Sequence, residues 1–151
     1  MPQIPFHYID LRTFSYETED EKRVNSALQT ILPEDFPLTR TESSGHHGDR
    51  IIVFSTRVES ADAIRHVLIQ LARLPSFETL QSELDERVTE NTELFLRLDK
   101  QAAFRGMIRR GEGITLRAKV EAYPAKKSAA VKNADEALTQ AASLLAANDS
   151  E

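Results

Sequence analysis

The chain has 151 residues, 28% of them charged, with 19 Lys and Arg against 24 Asp and Glu for a net charge of −5, and no cysteine. A chain of this length makes one ordinary domain that buries roughly 70% of its unfolded surface without staples, and the lack of cysteine excludes disulfide frameworks, thiolate metal sites and cysteine nucleophiles, as fits a cytoplasmic protein. No apolar run approaches the ~20 residues of a membrane span, and the opening MPQIPFHYID lacks the pattern of a secretory signal, so neither a membrane partner nor processing is expected.

Phe6 to Ser15 is rich in aromatic and β-branched residues and predicts a strand, with Ile9, Leu11 and Thr13 on its buried face and Tyr8, Arg12 and Phe14 on the other. Thr18-Glu19-Asp20-Glu21 has the pattern of a capping box. The helix it opens places Val24, Ala27, Leu28 and Ile31 on one face until Pro33. Leu38 to Ser43 and Arg50 to Val58 predict an antiparallel pair of strands around the turn-forming SSGHHGD. Ser60 is placed to cap a second helix, with Ile64, Val67, Leu68, Leu71 and Leu74 as its stripe, and Ser76 a third, with Phe77, Leu80, Leu84 and Val88.

Leu94, Leu96 and Leu98 alternate with Phe95, Arg97 and Asp99, the period of a half-buried strand. Lys100 to Gly106 predicts a helical turn or loop that ends at the glycine, and Met107 to Arg110 has no clear period. After the Gly111-Glu112-Gly113 corner, Ile114, Leu116, Ala118, Val120 and Ala122 point inward and Thr115, Arg117, Lys119, Glu121 and Tyr123 outward. Pro124 stops that strand. Val131, Ala134, Leu138, Ala141 and Leu145 then form the stripe of a last helix. The order predicts an α+β domain over residues 1–151, an antiparallel sheet with helices packed on one face and the other face open.

Charge is distributed unevenly along this order. From Arg97 to Lys132 there are ten Lys and Arg against three acids, net +7, while the remainder carries nine against twenty-one, net −12. A positive field among negative surroundings is an electrostatic footprint for a polyanion, nucleic acid first among them. Lys126 and Lys127 sharpen the point, because cations at a helix start oppose its dipole and cost about 0.3–1 kcal/mol apiece when exposed. A phosphate docked on the free amides there reverses that sign.

Within the basic window, LFLRLDKQAAFRG followed by KVEAYPAKK resembles a family of archaeal RNA-binding proteins described as predicted exosome subunits. FHYIDLRTFSYETEDEKRV and the His-His loop SSGHHGDRIIVF match the same family in the same order, so the resemblance spans Phe6 to about Asn133. It implies a fold like that of the large-subunit ribosomal protein that binds the small ribosomal RNA of the central protuberance. It also implies RNA binding without catalysis, with RNA and exosome or ribosomal components as partners.

The histidine loop is the one place where an enzyme reading could start. Adjacent residues of an extended segment point to opposite sides, and no H-E-x-x-H pattern accompanies His46 and His47, so neither catalysis nor a metal or other cofactor is expected. Two readings remain for the loop: glycines that let the backbone approach RNA while an imidazole meets a base, or a plain turn. His7 and His66 fall in regular structure and read as structural. The expected RNA contacts are Arg97, Lys100, Arg105, Arg109, Arg110, Arg117, Lys119, Tyr123, Lys126 and Lys127, together with His46 and His47. Arg117, Lys119, Lys126 and Lys127 are expected along one continuous edge of the open face. A protein-interaction subunit of an RNA-degradation complex, with its basic face on an acidic partner, is the competing reading.

Overall fold

The computed structural model describes residues 4–45 and 48–149. Five strands, β1 (Phe6–Tyr16), β2 (Thr39–Ser44), β3 (Arg50–Val58), β4 (Glu93–Asp99) and β5 (Gly113–Val120), form one sheet in the order β2-β3-β1-β5-β4 with every neighbouring pair antiparallel. The helices are α1 (Glu21–Gln29), α2 (Ala61–Leu71), α3 (Phe77–Ser82), α4 (Leu84–Arg87), α5 (Lys100–Phe104) and α6 (Lys127–Asp149). The architecture is the expected α+β one.

The core is the sum of the predicted alternations. Ile9 and Leu11 of β1, Ile114, Leu116 and Ala118 of β5, Leu94, Leu96 and Leu98 of β4, and Ile52 and Phe54 of β3 are all buried. Opposite them lie the stripes Val24-Ala27-Leu28 of α1 and Ile64-Val67-Leu68-Leu71 of α2. The long α6 buries Ala130, Ala134, Ala137, Leu138 and Ala141, so a mainly alanine seam meets the layer beneath; the expected Val131 and Leu145 are only half-buried. Buried Thr13 is satisfied by donating its hydroxyl to the Gly113 carbonyl at 2.7 Å.

Several local expectations change. The N-cap of α1 is Asp20, whose carboxylate accepts from the Lys22 amide, and not Thr18. Thr18 and Glu19 belong to the turn that closes β1: the Glu19 amide donates to the Tyr16 carbonyl at 2.8 Å, and the Glu19 carboxylate is held by the Tyr16 amide and by Lys100. Ser60 caps α2 as expected, through the Ala63 amide, whereas Ser76 makes no capping bond. The third predicted helix is two short ones. It breaks at Glu83, whose carboxylate is drawn to Arg110 at 2.7 Å and Arg87 at 3.4 Å, although Leu80, Leu84 and Val88 all stay buried.

The two edges of the sheet differ. Along β4 the segment after α5 lies in register: the Asp99 amide donates to the Arg109 carbonyl at 2.8 Å, the Gly111 amide to the Arg97 carbonyl at 3.3 Å, and Leu98 bridges Arg110. This resolves the stretch that lacked a sequence period. The corner that returns it to β5 is tight. Gly113 has φ +115°, and a Cβ there would lie 2.5 Å from the Lys100 Cβ. Gly113→Ala is therefore expected to destabilise the chain by about 1–3 kcal/mol, from backbone strain and collision together. A urea midpoint unchanged from that of the unsubstituted chain would contradict the packing of this corner.

Candidate nucleic-acid interface

Helices cover one face of the sheet, and the residues that alternate with the core line the other. Register places these residues in cross-strand rows about 7 Å apart, two residues of strand rise. Glu93, Lys119 and Tyr8 form the first row, and Phe95, Arg117, Asp10 and Arg57 the second. Arg97, Thr115, Arg12, Ser55 and Thr39 form the third. Phe14 with Val53 and Thr41, then Tyr16 with Ile51 and Ser43, complete the face.

Aromatic rings and guanidiniums are interleaved here. Arg57 lies over the Tyr8 ring at 3.9 Å and Arg12 over the Phe14 ring at 5.5 Å, while Phe14 and Tyr16 stack with centroids 6.4 Å apart. Tyr16 and Phe95 are exposed, at 52% and 39%. Cation–π contact sets these guanidiniums against the rings; Arg12 keeps its donors unpaired with any described carboxylate, whereas those of Arg57 turn to Asp10.

At the centre stands Asp10. It accepts from Arg57 Nε at 2.8 Å and Nη2 at 3.0 Å and from Arg117 Nη2 at 3.0 Å, while Arg117 Nε reaches Glu93 at 3.3 Å. Burial pushes the Asp10 carboxyl up, but the hydrogen bonds from Arg57 and Arg117, with their charges, outweigh it and hold it below its ordinary value. Both guanidiniums are pushed up in turn, by the hydrogen bond to Asp10 first.

The expected contacts separate into groups. Arg97, Arg117 and Lys119 are on the open face, where Arg97 is 3.7 Å from Glu112 and the Lys119 ammonium donates to the Asn91 carbonyl. Arg109 is exposed at the edge, its backbone paired with Asp99. Tyr123, 83% exposed, lies beyond the end of β5, and Lys126 and Lys127 stand at the head of α6 with no carboxylate partner among the described residues. Lys100, Arg105 and Arg110 are not on the face. Lys100 is held by Glu19 at 2.8 Å and the Phe14 carbonyl at 2.9 Å with its side chain only 12% exposed, Arg110 turns to Glu83, and Arg105 ends α5 in the helix layer.

His46 and His47 lie outside the described residues. Their loop joins β2 to β3 beyond the Tyr16 row, where the Gly45 amide donates to the Asp49 carbonyl at 2.6 Å. The head of α6 follows the end of β5 that pairs with the start of β1, the opposite end of the sheet from the Gly45–Asp49 contact. Burial lowers the pKa of His66, against a backbone hydrogen bond at Leu32 that raises it. Among the described residues no group of three or more His, Cys, Asp or Glu is placed to hold a metal ion.

Arg12, Arg57, Tyr8, Phe14, Tyr16 and Phe95 were absent from the expected contact set. For Tyr8, Arg12 and Phe14 the available signal was alternation along the first strand, which already set the three on one face; Arg57 and Phe95 lie on other strands. The charge count directed attention to the basic window alone.

A carboxyl with a lowered native pKa contributes stability that is complete above its unfolded pKa of about 3.9 and is lost as pH falls through its lower native value. Urea unfolding of the unsubstituted chain should thus lose stability steeply as pH drops below about 4. In Asp10→Asn that acid-side slope should be shallower, and equal slopes in the two proteins would contradict the network.

A family model described as RNA binding matches residues 8–120, from Tyr8 in the first row to Val120 at the end of β5. The RNA-binding protein PAB1135 of Pyrococcus abyssi is 36% identical, over 83% of this chain and 89% of its own length. Mth689, a DUF54 protein from Methanothermobacter thermautotrophicus, has a solved structure that is 38% identical with a TM-score of 0.75, covering 88% of this chain and 98% of that one. AF2318 from Archaeglobus fulgidus shares the fold at a TM-score of 0.77 and 24% identity, over 87% of this chain and 99% of that one. The matched span contains most of the rows just described, and the chain belongs to this RNA-binding family.

Proposed function

We propose that the chain is a non-catalytic RNA-binding protein that receives single-stranded or irregular RNA across the open face of its sheet. The observation that carries this reading is the interleaving of Arg12, Arg97 and Lys119 with Tyr8, Phe14, Tyr16 and Phe95 on one helix-free surface, around the ion-paired Arg57 and Arg117. Phosphates take the charges and unstacked bases take the rings, the division of labour by which sheets hold flexible RNA. Lys126 and Lys127 extend the track past the end of β5, where amides and ammonium groups together favour a phosphate.

No helix among the described residues is long and apolar enough to cross a membrane. In this reading the protein works in the cytoplasm as an accessory of RNA processing, with exosome or ribosomal components as partners and a kinship to the ribosomal-protein fold. Nuclease treatment separates that from the competing reading. Association with an exosome subunit that persists after RNA is digested would favour a protein-interaction subunit.

RNA affinity is expected to fall steeply with salt, because cations on the face displace counterions from phosphates. Replacing Lys126 and Lys127 together by Glu should weaken binding and reduce the salt slope by about 2, with folding changed by no more than about 0.5 kcal/mol. Filter binding over a salt series reads both, and flat binding by the unsubstituted chain would overturn the reading. RNA incubated with the protein should remain intact; cleavage that disappears in His46→Ala or His47→Ala would overturn the non-catalytic part.

A further inference from the structure

The open face is not uniformly cationic. Arg57 and Arg117, the two guanidiniums at its centre, are neutralised by Asp10 between them and by Glu93 on the far side of Arg117. Arg12, one row away, and Arg109, at the edge, have no carboxylate partner among the described residues. A phosphodiester is therefore drawn to the unpaired cations at the margins more than to the neutralised centre.

Between the second and third rows lies an open depression of about 470 Å³, within the ~300–1,000 Å³ range of small-ligand sites. Phe95, Thr115 and Ser55 are among its lining residues. The Thr115 and Ser55 hydroxyls make no hydrogen bond to any described residue. Phe95 is 39% exposed, and its register neighbours on this face are Arg117 across the strand and Glu93 and Arg97 along its own.

We propose that this depression is a pocket for one unstacked nucleobase, stacked on Phe95 and hydrogen-bonded by Thr115 on the neighbouring strand, with the sugar–phosphate chain passing outside it toward Arg97 and Arg12. The ionic row gives the pocket its rigidity. Asp10 holds both guanidiniums in place and neutralises their charge, so the pocket suits an uncharged planar ring, and the Thr115 hydroxyl offers a donor and an acceptor to its edge. This assignment rests on the RNA-binding reading above and adds a position at which a base, and not its phosphate, is recognised.

The test uses the full chain and the shortest single-stranded RNA that it binds, made as a series in which each position in turn lacks its base while the sugar and phosphates remain. One position should lose about tenfold in affinity, by the same factor at low and at high salt, because stacking is uncharged while phosphate contacts are screened. Phe95→Ala should flatten this profile and Phe95→Tyr should restore it. Thr115→Ala provides a second variant that leaves the aromatic wall in place and should reduce the loss at the same position. A flat profile in the unsubstituted chain, or one that Phe95→Ala leaves unchanged, would overturn the pocket while salt-dependent RNA binding stood. Failure of the unsubstituted chain to bind RNA at all would overturn both.

Discussion

The registration of β1 between β3 and β5 is the constraint on which the open face depends. Because successive side chains of a strand point to opposite faces, a slip of one residue would carry Ile9 and Leu11 into water and bring Asp10 and Arg12 into the core. Burial of those two side chains, each worth about 1.5–3 kcal/mol, opposes such a slip strongly. The same register sets Asp10 opposite Arg57 on one side and Arg117 on the other. Ionic order on the open face is thus a consequence of apolar order beneath it.

Secondary contacts secure this arrangement at the end where β1 finishes. The ammonium of Lys100 joins the Phe14 carbonyl to Glu19, and its carbon chain occupies the space that a side chain at Gly113 would need. A lysine drawn from the basic window is here a structural tie. Arg110 behaves alike, linking the covered edge of β4 to the break between α3 and α4 through Glu83. Glu83 is held below its usual range by that Arg110 hydrogen bond. The window's excess of cations therefore divides between holding the fold and facing outward.

Those that face outward share their surface with residues contributed by β1 and β3, far away in sequence. A sheet face assembled in this way offers alternate charges and rings at regular spacing, which suits a ligand with a repeating backbone and planar bases. The central ion pairs limit where its charge can sit. In the proposed arrangement, affinity from the margins and selectivity from the centre would be separable properties, the first sensitive to salt and the second insensitive.

Periodicity in the sequence determined the elements and their buried faces: the leucines of β4, the β5 alternation from Ile114 to Ala122, and the helix stripes around Leu28 and Leu68 are all where 2.0- and 3.6-residue spacing puts them. Those signals are local, carried by residues within a few positions of one another. The cap at Asp20 is a local bond to the Lys22 amide, while at the break at Glu83 the carboxylate meets the distant Arg110, a pairing that spacing does not encode. The site followed the same division. Arg97, Arg117 and Lys119 were legible because charge and alternation coincide in one stretch, and Tyr8 and Arg12 were legible only as sharing a face. Their meeting with Arg57 and Phe95 required the strand order β3-β1-β5-β4, and tertiary structure alone supplied that, since antiparallel pairing joins residues by register and not by nearness along the chain.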